Sequence, residues 1–513
     1  MRLARIAFYF LIPALFAQEH PRPAPGEHEG GAETPAKPAA QTPPPVEKTS
    51  VTKHSIQVNG KTLAYTATAG TLILKKDDKP WASMFYVAYT RDDAGAAAKR
   101  PITFTFNGGP GSASVWLHMG ALGPMRVEMG PEGDQPKPPY HLMDNDDTAL
   151  EFTDLVFIDP VTTGFSRAAP GVKAADFHGF EGDLDSVSEF IRLYLTRYER
   201  WASPKFLAGE SYGTLRAAAL SDRLLENEGI YLNGITLIST VLNFETLSFG
   251  TGNDLPYALY LPSYTAAAWY HKKLPKDLQA DLEKAVGESR KFAGGDYTVA
   301  LMKGDKLTSA ERATIAHELA RLTGLPESYV VECNLRISEP RFTKELLRDQ
   351  RKIVGRYDSR LEGEDRDAAG DRPEYDPSYA SVQGVFTAMF NNYVRSDLKF
   401  DSDMPYQVLT DKVQPWSYEH FQNRYVNVAD MLRQAMTQNP NLKVMIANGY
   451  YDLATPFFAT EYTVAHVGLD PTLSGHVSLT YCEAGHMLYT KKSCLDNLHG
   501  AMADFYQKAV PAP

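Results

Sequence analysis

The chain has 513 residues, 43% of them hydrophobic and 22% charged, with a formal net charge of −11. This composition excludes a wholly disordered, collagenous or multi-span membrane protein, and a chain of this size can bury a large core without disulfide staples. The acidic balance, 52 Lys and Arg against 63 Asp and Glu, comes with no long basic run, which argues against a nucleic-acid partner.

At the N-terminus, Arg2 and Arg5 precede an apolar stretch from Ile6 to Ala17. The pattern reads as a secretory signal peptide over residues 1–17, with an uncleaved anchor as the alternative, and is short for a membrane span. Export to the periplasm or outside the cell is expected, with no stable membrane anchor. Residues 18–49 are rich in Pro, Ala, Glu and Gly, a composition that cannot bury enough apolar surface to fold, and are read as a tether.

Beyond the tether, "HSIQVNGKTLAYTATAGTLILK" and "WASMFYVAYTRD" have the β-branched and aromatic content of antiparallel strands, with Asn59-Gly60 as a turn. "RPITFTFNGG", "DLVFIDP", "KFLAGES" and "NGITLIST" then read as fully buried strands. Between the second and third lies a segment with Leu184, Val187, Ile191, Leu195 and Tyr198 at helical spacing. A helix, "GTLRAAALSDRLLEN", follows the third. Strands alternating with helices imply an α/β domain with a mostly parallel sheet.

Residues 245–435 break that rhythm and read as a mostly helical cap insertion, with Thr308 and Glu311 forming a capping box. The strand pattern returns in "NLKVMIANGYYD" and "HVSLTYCEAG", and a helix closes the chain. Residues 50–244 and 436–513 are therefore read as two parts of one core. Three cysteines exclude a disulfide scaffold; Cys482 and Cys494 could pair, or remain two small buried side chains.

Gly209-Glu210-Ser211-Tyr212-Gly213 follows an apolar strand and opens a helix, the context a nucleophile elbow needs. A serine hydroxyl is a weak nucleophile near neutral pH and needs a base. Asp452 ends a later buried strand and His486 sits in a Gly-led loop after the next, so Ser211, Asp452 and His486 occur in the chain order of an α/β-hydrolase triad. Acyl transfer also needs two donors aimed at the oxyanion. The backbone N–H groups of Tyr212 and of Gly109, in the loop "FNGGPGSAS", are the candidates. The sequence carries neither a phosphate-binding loop nor an H-E-x-x-H zinc motif, so no cofactor and no metal is expected.

Asn107-Gly-Gly-Pro-Gly111, "FIDPVTTGFS", "GESYG", "NGYYD" and "AGHM" together resemble the serine carboxypeptidase family, in the family's order and over most of residues 100–490. The short tether and few cysteines suggest a bacterial-type member. The resemblance implies an α/β-hydrolase fold with a helical insertion, secretion, and release of C-terminal residues from peptide substrates through an acyl-enzyme. It also implies that Asn107 and Glu210 hold the substrate's terminal carboxylate, Glu210 sharing a proton with a second Glu before "LGP".

This chain departs there. Ala121 stands at the second Glu position, Thr105 replaces an aromatic residue, Ser112 replaces a cysteine, and Thr214-Leu215-Arg216 replaces a His/Tyr-rich helix start. With no like-charged partner for Glu210, activity is expected closer to neutral pH than is usual in the family. Arg216 reads as a solvated helix arginine or as positive charge near the site. Tyr212 and Phe165 read as pocket aromatics or as simple core. The alternatives are a serine esterase or acyltransferase using the same triad, and a binding protein using the cleft without catalysis. The sequence does not indicate the oligomeric state.

Overall fold

The structure, a computed structural model, describes residues 45–95 and 99–510. The expected signal peptide (1–17) and nearly all of the expected tether (18–49) lie outside those residues. Thr49 already belongs to a strand, because it pairs with Gly70 across the first hairpin. Among the described residues, no helix is long and apolar enough to cross a membrane.

The strands β1 (Thr49–Val58), β2 (Lys61–Lys76) and β3 (Lys79–Arg91) form an antiparallel meander. Asn59 and Gly60, both at positive φ, make its first turn. Next come β4 (Ile102–Phe106), β5 (Asp154–Ile158), β6 (Lys205–Ser211), β7 (Gly234–Thr240), β8 (Lys443–Gly449) and β9 (Val477–Cys482). The main sheet runs β1-β2-β3-β5-β4-β6-β7-β8-β9, and a short strand, Arg167–Ala168, pairs with β3. From β5 to β9 all neighbours are parallel. The chain passes from β4 to β5 on one side and returns to β6 on the other. The loops leaving β4 and β6 therefore part at a topological switch point, where α/β sheets bind ligands.

The interior parallel strands read as continuous apolar runs because helices cover both faces of the sheet. On one face, α1 (Phe180–Arg197) and α2 (Tyr212–Glu228) pack Leu184, Val187, Ile191, Leu215, Leu220 and Leu224 onto β4, β6 and β7. Helix α1 ends at Arg197, so Tyr198 caps it instead of extending its buried stripe.

Between β7 and β8, α3 (Leu255–Tyr270) and α4 (Ser309–Thr323) contribute to a separate apolar cluster. The Thr308–Glu311 capping box opens α4. Residues 245–435 are not all cap, however. Helix α5 (Pro377–Ser396) turns Val385, Phe386 and Phe390 into the core on the second face of the sheet. Helix α6 (Ala429–Gln438) runs across position 435 and packs Leu432, Ala435 and Met436 beside α2. The closing helix α7 (Lys492–Ala509) completes the second face with Leu495, Leu498 and Met502.

Candidate active site

Parallel strands bring their C-terminal ends to one edge. Asn107 follows β4, Ser211 ends β6, Asp452 lies beyond β8 and His486 beyond β9. Ser211 has φ 60° and ψ −129°, a backbone conformation that L side chains rarely adopt. Its flanking glycines are required by space. A Cβ at Gly209 would lie 2.1 Å from the Gly213 carbonyl oxygen, and one at Gly213 would lie 2.7 Å from that of Phe106. The turn is therefore tight enough to leave Ser211 half-buried at the sheet edge, at the start of α2.

His486 and Asp452 are brought together, with His486 Nδ1 donating to Asp452 Oδ2 at 2.8 Å and both side chains buried. Asp452 also accepts from the backbone N–H groups of Ala454 (2.7 Å) and Thr455 (2.9 Å) and from the Thr455 hydroxyl (2.8 Å). These bonds fix the carboxylate that orients the imidazole. The His486 backbone is held as well: its N–H donates to Tyr357 O and its carbonyl accepts from Ser239 Oγ, each at 2.5 Å. Burial pushes the His486 pKa down, but the charge and hydrogen bond of Asp452 and the charge of Glu210 outweigh it, so the net shift is upward. Ser211 and His486 are not hydrogen-bonded to each other; such contacts are often long before substrate binds.

Tyr212 opens α2, so its N–H has no carbonyl partner within the helix. The second loop comes closest at Gly108, where a Cβ would lie 2.4 Å from Tyr212 N. Gly109, the expected second oxyanion donor, sits next to it at φ 104°. Sequence reasoning missed the tighter constraint at Gly108, which is set by contact between two loops distant in the chain.

Asn107 and Glu210 are also brought together, with Asn107 Nδ2 donating to Glu210 Oε2 at 2.5 Å. Asn107 is itself fixed: its side-chain oxygen accepts from Leu117 N at 3.0 Å and its backbone carbonyl from Arg216 Nη1 at 2.7 Å. Burial raises the Glu210 pKa, more than His486 and the hydrogen bonds from Asn107 and Tyr489 lower it.

Two alternatives that the sequence left open resolve in the structure. Arg216 is not a solvated helix arginine; it lies buried beneath the site, with its Nε 2.8 Å from Asp183 Oδ2 and its guanidinium over the rings of Phe106 and Tyr212. Phe165 and Tyr212 are core residues, Phe165 against Phe85 and Tyr406 and Tyr212 against Trp416. Of the two possibilities left open for Cys482 and Cys494, the structure has the disulfide. The bridge ties the end of β9 to the start of α7 and so closes the loop that carries His486. Among the described residues, no three His, Cys, Asp or Glu side chains cluster to hold a metal ion.

A family model described as serine carboxypeptidase matches residues 61–486, most of the chain. The chain belongs to the serine carboxypeptidase family. This family member shares its fold with the crystal structure of KEX1(delta)p, a prohormone-processing carboxypeptidase from Saccharomyces cerevisiae. The TM-score is 0.54 at 16% identity, covering 86% of this chain and 91% of that one.

A carboxypeptidase Y homolog of Arthroderma benhamiae is 31% identical over 146 residues, 28% of this chain and 27% of that relative. A pheromone-processing carboxypeptidase KEX1 of Coprinopsis cinerea is 32% identical over 149 residues, 28% of this chain and 22% of that relative. The aligned stretch thus spans about a quarter of these curated relatives. These relatives are fungal, so they lend no support to the bacterial-type expectation.

Proposed function

We propose that the protein is an exported serine carboxypeptidase that releases C-terminal residues from peptides through an acyl-enzyme. The Asp452–His486 pair at the sheet edge that carries Ser211 is the observation that supports this reading most. In it, Ser211 attacks the scissile carbonyl. His486 takes the serine proton and returns it to the leaving amine. The N–H groups of Tyr212 and Gly109 receive the oxyanion. Asn107 and a protonated Glu210 bind the terminal carboxylate. Export is supported by the N-terminal apolar stretch and by the Cys482–Cys494 bridge, since disulfides persist in oxidising compartments.

The pH dependence follows from one proton shared between two groups. Peptide cleavage needs His486 neutral and Glu210 protonated, one of the two ways to place a single proton on the pair; the other, charged His486 beside ionised Glu210, is inactive but interconverts with it at constant ratio. Adding a second proton at low pH removes the base. Losing the last proton at high pH makes Glu210 repel the substrate. Both groups hold protons more tightly than usual, Glu210 through burial and His486 through the charges of Asp452 and Glu210, so the window of the singly protonated pair moves to higher pH. Release of the terminal residue from a blocked dipeptide, followed from about pH 4 to 8, is expected to give a bell that remains high at neutral pH. Collapse above about pH 5.5, well below the ordinary histidine value of about 6.5, would contradict the shared-proton account. No release at any pH would remove the peptidase reading.

A further inference from the structure

Tyr489 lies three residues beyond His486, inside the loop closed by the disulfide, and is 1% exposed. Its hydroxyl donates to Glu210 Oε1 at 3.1 Å, while Asn107 Nδ2 holds Oε2. Both oxygens of a buried carboxylate are thus fixed by side chains from two segments distant in the chain. The ring has room because the turn beneath it is built of small residues. A Cβ at Gly120 would lie 2.7 Å from Tyr489 Cε2, and Ala121 belongs to the same apolar cluster as Tyr489. A larger side chain at position 120 would displace the ring and take the hydroxyl away from Glu210.

We infer that Tyr489 is a positioning residue: it orients Glu210 for the substrate's terminal carboxylate and links that site to the loop carrying His486. This rests on the carboxypeptidase reading above. The phenol supplies a neutral donor where a second carboxylate would add a like charge beside Glu210. The charged and titratable groups around Glu210 are His486 and Asp452 from the loops after β9 and β8, and Tyr357, whose ring lies 5.0 Å from that of His486. Arg356, next to Tyr357, faces the same histidine. None of these gives Glu210 Oε1 a hydrogen bond; among the described residues, Tyr489 alone does so.

The test compares wild type, Tyr489→Phe, Glu210→Gln and the double variant on a blocked dipeptide with a free carboxylate and on a simple ester. Tyr489→Phe is expected to raise KM for the free acid severalfold to about tenfold, the loss of one neutral hydrogen bond that orients Glu210. This penalty should exceed any penalty on the ester by a similar factor. It should also move the alkaline limb of the free-acid pH profile upward, because without the phenol's hydrogen bond Glu210 keeps its proton to higher pH. In the Glu210→Gln background the same change should add almost nothing, because Tyr489 acts through that carboxylate.

Equal losses on both substrates, or additive losses in the double variant, would overturn the inference and leave a packing role. An unchanged KM and pH profile for folded Tyr489→Phe would also overturn it. A wild type that hydrolyses the ester but not the free acid would instead defeat the peptidase reading and, with it, this inference.

Discussion

Ser211→Ala is expected to lower kcat for peptide and ester alike by roughly 10⁴–10⁶-fold, the range seen when a serine nucleophile is removed. At about 1.4 kcal/mol per tenfold, that is at most about 8 kcal/mol of transition-state stabilisation. The substitution removes one oxygen from a half-buried position, and alanine meets the same backbone strain at φ 60° as serine. Folding should therefore be nearly unchanged. Single-turnover kinetics, with fluorophosphonate labelling as a check, reads the effect. His486→Ala should be similarly inactive and the double variant hardly worse, because the two residues act as one unit. A residual rate within tenfold of wild type would mean that another group is the nucleophile.

Arg216→Met carries the largest expected effect on stability. The Arg216–Asp183 pair is buried, with side-chain exposures of 1% and 2%. Burial pushes the Asp183 pKa up, and the guanidinium draws it back down. Removing the cation leaves that carboxylate without its partner, a loss of about 3–5 kcal/mol. It also removes the donor to the Asn107 carbonyl, which holds the loop from β4 against the turn at Ser211. Adding Asp183→Leu removes the stranded charge and should restore most of the stability, because buried pairs are often replaceable by apolar side chains. Activity should not return with it, since the Asn107 loop still lacks its anchor. Denaturant midpoints and kcat/KM on the same samples separate the two effects. Full recovery of both in the double variant would show that Arg216 serves stability alone.

The strands at the site were legible because buried parallel strands leave unbroken apolar runs such as Phe206–Ala208 and Val444–Ala447, and each run led into a loop bearing chemistry. Asp452 and His486 could be chosen by chain order and strand-end placement without knowing their distance. The choice between the two readings of Arg216 was not legible. A basic residue near a helix start is ordinarily solvated, and nothing local announces Asp183 on the neighbouring helix α1. Tyr489 and Thr455 were missed for the same reason: each acts by a tertiary contact that sequence spacing does not encode. Reading residues 245–435 as one insertion did not separate α5, whose packing of Val385, Phe386 and Phe390 against the second sheet face is a tertiary contact. The pairing of Cys482 with Cys494 stayed open, since a separation of 12 residues allows a bridge without requiring one.

The central claim is that this site reads a free C-terminal carboxylate and cleaves the bond before it. The most direct measurement gives the purified protein a blocked dipeptide with a free C-terminus and the same dipeptide as its amide, at neutral pH, with Ser211→Ala as the control. Release of the terminal amino acid from the free acid, little from the amide, and none in the control is expected. Equal cleavage of both, or of neither while a simple ester is hydrolysed, would contradict it and leave a serine hydrolase of another kind on the same fold.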